Sequence, residues 1–208
     1  MIPEYKFQVG GNNNIGRWDN ILPNYMTDIV NVILQAKQEM SFLQIKITHF
    51  LLSKMYKIVH NSREIAGISR FLDISFADAA FFQLICEYCI HGSTIIVRQK
   101  NTEKIIFFKG LKTSIKLLQK MFIFLNVISG TKKRFKVLTI AGYTGYLCVF
   151  HPDTALMSIE YNASIHNLTL FQVVIRYCFN KWTPGQLLRY ISEEDDISKI
   201  GNHTYNAK

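Results

Sequence analysis

The spacing of apolar positions divides the chain into a helical first part and a strand-rich second part. Tyr5-Lys6-Phe7-Gln8-Val9 alternates apolar and polar residues, which predicts a short strand, and a polar Gly/Asn loop then leads to Arg17-Trp18. From 21 to 60 apolar residues recur at helical spacing, with Ile29, Val30, Val32 and Ile33 first and Ile45, Ile47, Phe50 and Leu51 later. A further helix is expected over Ser62 to Leu72, with Ile65, Ile68 and Phe71 on one face. Asp73-Ile74-Ser75 breaks it, and Ser75 or Asp73 is placed to cap the next helix, which runs to about Ile90.

After His91-Gly92 the pattern changes. Ser93–Val97 and Lys104–Phe108 are β-branched or aromatic and are separated by a polar turn, which predicts a hairpin. Further strands are expected at Met121–Val127, Phe135–Ala141, Tyr146–Phe150 and Leu156–Tyr161. Leu168–Tyr177 and Pro184–Ser192 read as helices, and Thr183 is a natural N-cap before Pro184. Helices, then a meander of strands, then helices again predict an α+β layered domain. The order suggests a helical segment over 1–91 and a sheet-and-helix segment over 92–208.

Composition narrows the class. At 208 residues, with 49% hydrophobic and 19% charged residues, the chain has the makings of a buried core. The most apolar stretch, Ile74 to Val97, is interrupted by Asp78, Glu87 and His91, so it reads as buried rather than membrane-spanning. The first residues carry no hydrophobic signal region. The chain is therefore expected either to be cytosolic or to lack its leader in this form.

Net charge is +9 and is concentrated in one segment. Residues 1–97 hold eight basic and eight acidic groups, whereas 98–136 hold eleven basic groups against Glu103 alone. Such a segment is able to attract anionic lipid or nucleic acid, and the plainer reading is an ordinary solvated lysine-rich surface. Of the four cysteines, Cys86 and Cys89 form a C-x-x-C in an apolar helical run, where a buried thiol is ordinary; no second close pair completes a metal site. No cofactor is expected. Asn162, Asn167 and Asn202 open glycosylation sequons, which lean towards the secretory pathway. Glu193-Glu194-Asp195-Asp196 reads as a solvated acidic patch.

Several segments, in order, resemble one family. Ile2-Pro3-Glu4-Tyr5 with Arg17-Trp18, then Glu64–Ile68 with Asp73-Ile74-Ser75-Phe76, then Ala141-Gly142-Tyr143-Thr144-Gly145-Tyr146-Leu147 with Phe150-His151-Pro152, are similar to the acid ceramidases and N-acylethanolamine acid amidases. The match runs over about residues 2–195. Gly142 and Gly145 are expected in a two-residue turn that demands positive φ. That family belongs to the N-terminal nucleophile (Ntn) hydrolases and is similar to the cholylglycine hydrolases. The resemblance implies an αββα sandwich, partial here and with an open sheet edge to be covered by a partner. It also implies self-cleavage to free a cysteine whose α-amine acts as base. The implied substrates are ceramides or N-acylethanolamines. The implied setting is lysosomal or secreted, beside membrane lipids and lipid-binding helper proteins, with no nucleic acid.

The nucleophile is where the chain departs from the family. The family motif Cys-Thr-Ser-Ile-Val-Ala, anchored on Glu87, corresponds to Gly92-Ser93-Thr94-Ile95-Ile96-Val97. Gly92 has no atom that can attack an amide. The family's His-Gly-Arg-Asn-x-Asp corresponds to Phe107-Phe108-Lys109-Gly110-Leu111-Lys112, which sets Lys109 at the arginine and Lys112 at the aspartate. The Asn-Glu-Arg pattern is not reproduced near Ile159–Asn162. Catalytic members act as a unit, so the expectation is a degenerate relative with little or no hydrolysis. Two alternatives stand beside it. One is an amidase that uses Ser93 after cleavage behind Gly92; the other is a non-enzymatic module that binds anionic membranes through 98–136. His91 is a lesser candidate base.

Overall fold

The computed structural model describes residues 2–9, 16–55, 61–98, 105–129, 132–150, 156–158, 169–180 and 183–193; at 9, 91–98, 105–109, 129, 132–133, 156–158, 176 and 179–180 only the backbone is described. Strand β1 (Glu4–Val9) is followed by a 3-10 turn at Leu22–Asn24 and four helices: α1 (Met26–Gln38), α2 (Phe42–Lys54), α3 (Ser62–Leu72) and α4 (Phe76–Cys89). Then come β2 (Ile90–Arg98), β3 (Ile105–Thr113), the short α5 (Lys116–Lys120), β4 (Phe122–Ser129), β5 (Lys132–Ile140), β6 (Cys148–Phe150), β7 (Leu156–Ser158), α6 (Leu170–Asn180) and α7 (Pro184–Glu193). The fold is α+β.

Local chemistry sets the helix boundaries. Ser41 and Gln44 form a reciprocal capping box at the start of α2, with Gln44 N donating to Ser41 Oγ at 3.3 Å and Ser41 N to Gln44 Oε1 at 2.8 Å. Of the two candidate caps for α4, Ser75 does the work, accepting from Asp78 N at 3.0 Å. Asp73 instead closes α3 in the left-handed region at φ 53°. Thr183 caps α7 as expected, again through a box, with Gln186.

α4 is the central helix. Eleven of its fourteen residues are buried, and it packs on α1, α2, α3 and α6. α1 turns Ile29, Val32, Ile33 and Ala36 into the same core, which is the i, i+3, i+4, i+7 face the sequence predicts.

The main sheet runs β1-β4-β5-β6-β7, with β1 parallel to β4 and every other pair antiparallel. A parallel pair needs a crossover, and everything between Val9 and Phe122 supplies it. One face carries Phe7, Ile123, Leu125, Val127, Phe135, Val137 and Val149 into the core. The other face carries Glu4, Lys6, Phe124, Lys136 and Phe150, which are exposed or half-buried. There Lys136 pairs with Glu4, and its ammonium lies 4.3 Å from the Phe124 ring centre.

Strands β2 and β3 form a separate two-stranded sheet. The hairpin is longer than the sequence suggests, because Lys109–Thr113 continues β3 opposite Ile90–Thr94. The two-residue turn expected at Gly142 and Gly145 is not what forms. Residues 141–147 make a seven-residue connection from β5 to β6. Gly142 does adopt φ 78°, and it is the positive-φ glycine among the described residues. It turns the chain as Tyr143 N bonds back to Ile140 O at 3.0 Å.

Candidate functional site

The buried chemistry gathers where β1's following turn, α3, the 141–147 connection and α7 meet. Glu64 lies on the apolar face of α3 together with Ile65, Ile68 and Leu72 and is 1% exposed. A carboxylate so placed needs compensation, since burying an unpaired charge costs several kcal/mol. Three side chains supply it. Trp18 Nε1 donates to Oε1 at 2.5 Å, Arg17 Nη1 lies 3.5 Å from Oε2, and Arg189 Nη1 donates to Oε1 at 2.9 Å. Arg189 Nη2 meets Oε2 at 2.9 Å as an ion pair outside hydrogen-bonding geometry.

Arg189 is the hub. Its Nη1 also donates to Thr144 O at 2.8 Å, and its Nε donates to Glu193 Oε1 at 2.9 Å. The guanidinium lies over the rings of Tyr146 and Phe7, at 5.4 and 5.7 Å. Burial by itself would lower its pKa; the carboxylate of Glu64, with Tyr146 and Glu193, overcomes that and holds it well above the ordinary value. Tyr146 donates to Glu193 Oε1 at 2.5 Å, and burial, opposed by Arg189, keeps the phenol protonated. Glu193, expected in a solvated acidic patch, is therefore a member of this buried cluster. Residues 194–196 lie outside the described residues.

A second set of bonds straps the 141–147 connection to α4. Gln83 Nε2 donates to Gly142 O at 2.9 Å, and Thr144 N donates to Gln83 Oε1 at 2.8 Å. One turn further on, Glu87 accepts from Gly185 N at 3.0 Å and from the Tyr143 hydroxyl. The Glu87 carboxylate thus caps the N-terminus of α7, where the helix dipole favours an anion. Two carboxylates, Glu64 and Glu193, face two guanidinium groups, Arg17 and Arg189, so this arrangement is charge-balanced. It holds segments in place, and each described carboxylate in it is engaged.

The candidate catalytic positions lie on the hairpin. Register pairs Gly92 with Leu111, Ser93 with Gly110, Thr94 with Lys109 and His91 with Lys112. The positions chosen by resemblance on the two segments, 92–93 and 109–112, therefore do come together as neighbours in one ladder. Period two sets Gly92 on the face that carries buried Ile90 and Thr113. Neither strand carries an Asp or Glu. The side chains of His91, Ser93 and Lys109 lie outside the described ones, as do the sequons at Asn162, Asn167 and Asn202.

Cys89, three residues before Gly92, is buried, and burial pushes its thiol up to about 11, partly opposed by a hydrogen bond with Ser114 and reinforced by the nearby Glu39 carboxylate. Cys86 is raised still more clearly, by burial and by Cys89. Neither is a thiolate near neutral pH. The four cysteines form no disulfide, and among the described residues no His/Cys/Asp/Glu group could hold a metal.

Of the eleven basic residues of 98–136, five have described side chains. Lys136 is engaged with Glu4, and Arg134 donates to Glu193 O at 3.3 Å, while Lys112, Lys116 and Lys120 are exposed on β3 and α5. Among the described residues no helix is long and apolar enough to cross a membrane.

Sequence reading missed the Glu64–Arg189 pair. A signal was present: Glu64 stands four and eight residues before Ile68 and Leu72, a charge on an otherwise apolar stripe. Its partner lies too far along the chain for spacing to reveal.

No protein-family model matches this chain, and no curated protein matches it.

Proposed function

We propose that this chain is a lipid-amide-hydrolase-like protein of the ceramidase and N-acylethanolamine amidase kind, with a partial Ntn-like scaffold that no longer cuts amides. What supports the reading is convergence. Three separate segments that carry the resemblance meet in one buried cluster, in which Arg17 and Trp18 engage Glu64, and Arg189 engages Glu64 and Thr144 O. On this reading the hydrolytic step is missing, because the resemblance sets Gly92, in β2, against the family's attacking thiol, and the hairpin strands supply no carboxylate. On this reading the protein binds a ceramide or N-acylethanolamine without turnover, in a lysosomal or secreted setting.

Incubating the full chain with ceramide and N-palmitoylethanolamine at acid pH, followed by intact mass measurement, tests this. The expected result is an unbroken chain of 24.1 kDa, amide retained by the protein, and no free fatty acid. Two fragments split near residue 92, with turnover abolished by Ser93→Ala, would overturn it in favour of an active serine amidase. Absence of any binding to either lipid would remove the lipid-amide reading altogether.

A further inference from the structure

In α2 the sequence and the surroundings disagree. Phe42–Lys54 reads FLQIKITHFLLSK, with apolar residues on every side, the pattern of a helix buried all round. Yet its buried residues are Thr48 and Leu52, on the side that packs against α4 and α6. Leu43, Ile47, Phe50 and Lys54 follow one another at helical spacing along the outer ridge, with Phe42 and Lys46 beside them. Phe42 is 72% exposed, Leu43 66% and Phe50 61%, and Ile47 is exposed as well. Four large apolar side chains together on one helix are more than the scattered exposure every surface shows.

The polar residues among them carry one sign of charge. α2 has no Asp or Glu. Lys46 Nζ lies 4.4 Å from the Phe42 ring centre and Lys54 Nζ 5.7 Å from that of Phe50, so each ammonium sits over an exposed ring. Such a pairing lets the ring sink into an apolar layer while the ammonium stays at its polar edge.

We propose that α2 docks the protein on an anionic lipid surface, lying in the plane of the interface. Phe42, Leu43, Ile47 and Phe50 enter the acyl boundary, and Lys46 and Lys54 meet the phosphates. Charge decides the occupant. A second copy paired antiparallel about Phe50 would set Lys46 against Lys54 of its partner, like against like. An anionic headgroup layer satisfies both lysines while the apolar ridge leaves water. The proposal does not rest on the lipid-amide reading, and it places membrane contact on α2 rather than on 98–136.

The test is co-sedimentation of the full chain with vesicles of phosphatidylcholine alone and of phosphatidylcholine mixed with phosphatidylserine. Binding is expected on the mixed vesicles and is expected to weaken as salt rises. Lys46→Glu with Lys54→Glu should weaken it about tenfold or more, as should Phe42→Ser with Phe50→Ser. The same charge change on α5, Lys116→Glu with Lys120→Glu, should cost less than about threefold. All these positions are exposed, so circular dichroism should show unchanged melting; should the double Phe variant misfold, Leu43→Asn takes its place. Unaltered binding by the α2 variants, equal losses from α2 and α5, no preference for phosphatidylserine, or a Phe50-dependent dimer without vesicle binding would each overturn the proposal. Retention of N-palmitoylethanolamine in neutral detergent micelles, measured alongside, reports on the amide reading separately.

Discussion

Arg189 of α7 reaches Glu64 of α3 across 125 residues of chain, and both side chains are almost wholly buried, at 2% and 1% exposed. The pair is one of the joints between the N-terminal helical segment and the C-terminal helix, beside the bond from Gly185 N to Glu87. Replacing Arg189 with Met leaves Glu64 with only Trp18 and a more distant Arg17, a buried carboxylate short of compensation. The expected cost is about 3 kcal/mol of unfolding free energy, seen as a lower urea midpoint. Arg189→Lys should not restore it, because a point ammonium cannot reproduce the fork that engages Glu64, Thr144 and Glu193. Combining Arg189→Met with Glu64→Gln should recover part of the loss. Strict additivity of the two single variants would refute the coupling.

Gly185 tests the second set of bonds. A Cβ there would stand 2.8 Å from Glu87 Oε1 and would collide with the Tyr143 hydroxyl. Gly185→Ala must therefore push apart the carboxylate, the phenol and the first turn of α7. A loss of about 1–3 kcal/mol is expected, as for other overpacked sites. Faster hydrogen exchange at the first turn of α7 should accompany it, because Glu87 would no longer hold the Gly185 amide. A stability within error of the parent would show that the cluster is looser than its distances indicate.

How far the sequence reveals this molecule depends on whether each feature is local. The α3 boundaries, the Ser75 and Thr183 caps and most strand positions follow from periodicity and capping chemistry within a few residues, and each is found where it was expected. Joining the elements depends on long-range partners. That β1 runs parallel to β4, that Gln83 and Glu87 strap a connection some 60 residues on, and that Glu193 turns inward all rest on contacts no window of sequence contains. The turn at Gly142 shows the boundary between the two. Its positive φ was legible from the glycine, but the length of the connection was not, because Tyr143, Thr144 and Tyr146 are drawn into the core by α4 and α7. The resemblance located the ends of the buried cluster, Arg17-Trp18 and 141–147, without indicating the arginine that joins them.

Ser75 serves two elements at once. Its hydroxyl accepts from Asp78 N at the start of α4 and lies 3.1 Å from His49 Nε2 of α2. Ser75→Ala should cost about 1 kcal/mol, the ordinary worth of an N-cap. Ser75→Asp should restore most of that, since a carboxylate caps as well. Thermal unfolding of the three proteins checks the ordering; an Asp variant no better than Ala would mean that the link to His49, rather than the cap, carries the effect.

The thiol of Cys89 gives the alkaline limit a definite sign. Burial raises its pKa from 9.0 to about 11 in the folded protein, whereas the unfolded chain ionises at the ordinary value. Between those two pH values the folded state holds a proton that the unfolded state has released, so stability falls as pH rises. The full contribution is present below pH 9 and is lost by about pH 11, an effect of about 2–3 kcal/mol from a shift of this size. Cys89→Ala should flatten that part of the stability curve, measured by urea unfolding at a series of alkaline pH values, while leaving the neutral region shifted only by the lost packing. The same protonation predicts slow alkylation of Cys89 and Cys86 in the native protein, with the half-buried Cys178 reacting first. Rapid labelling of Cys89 under native conditions at neutral pH would mean that its sulfur is reachable and ionised, and the pH argument would fall with it.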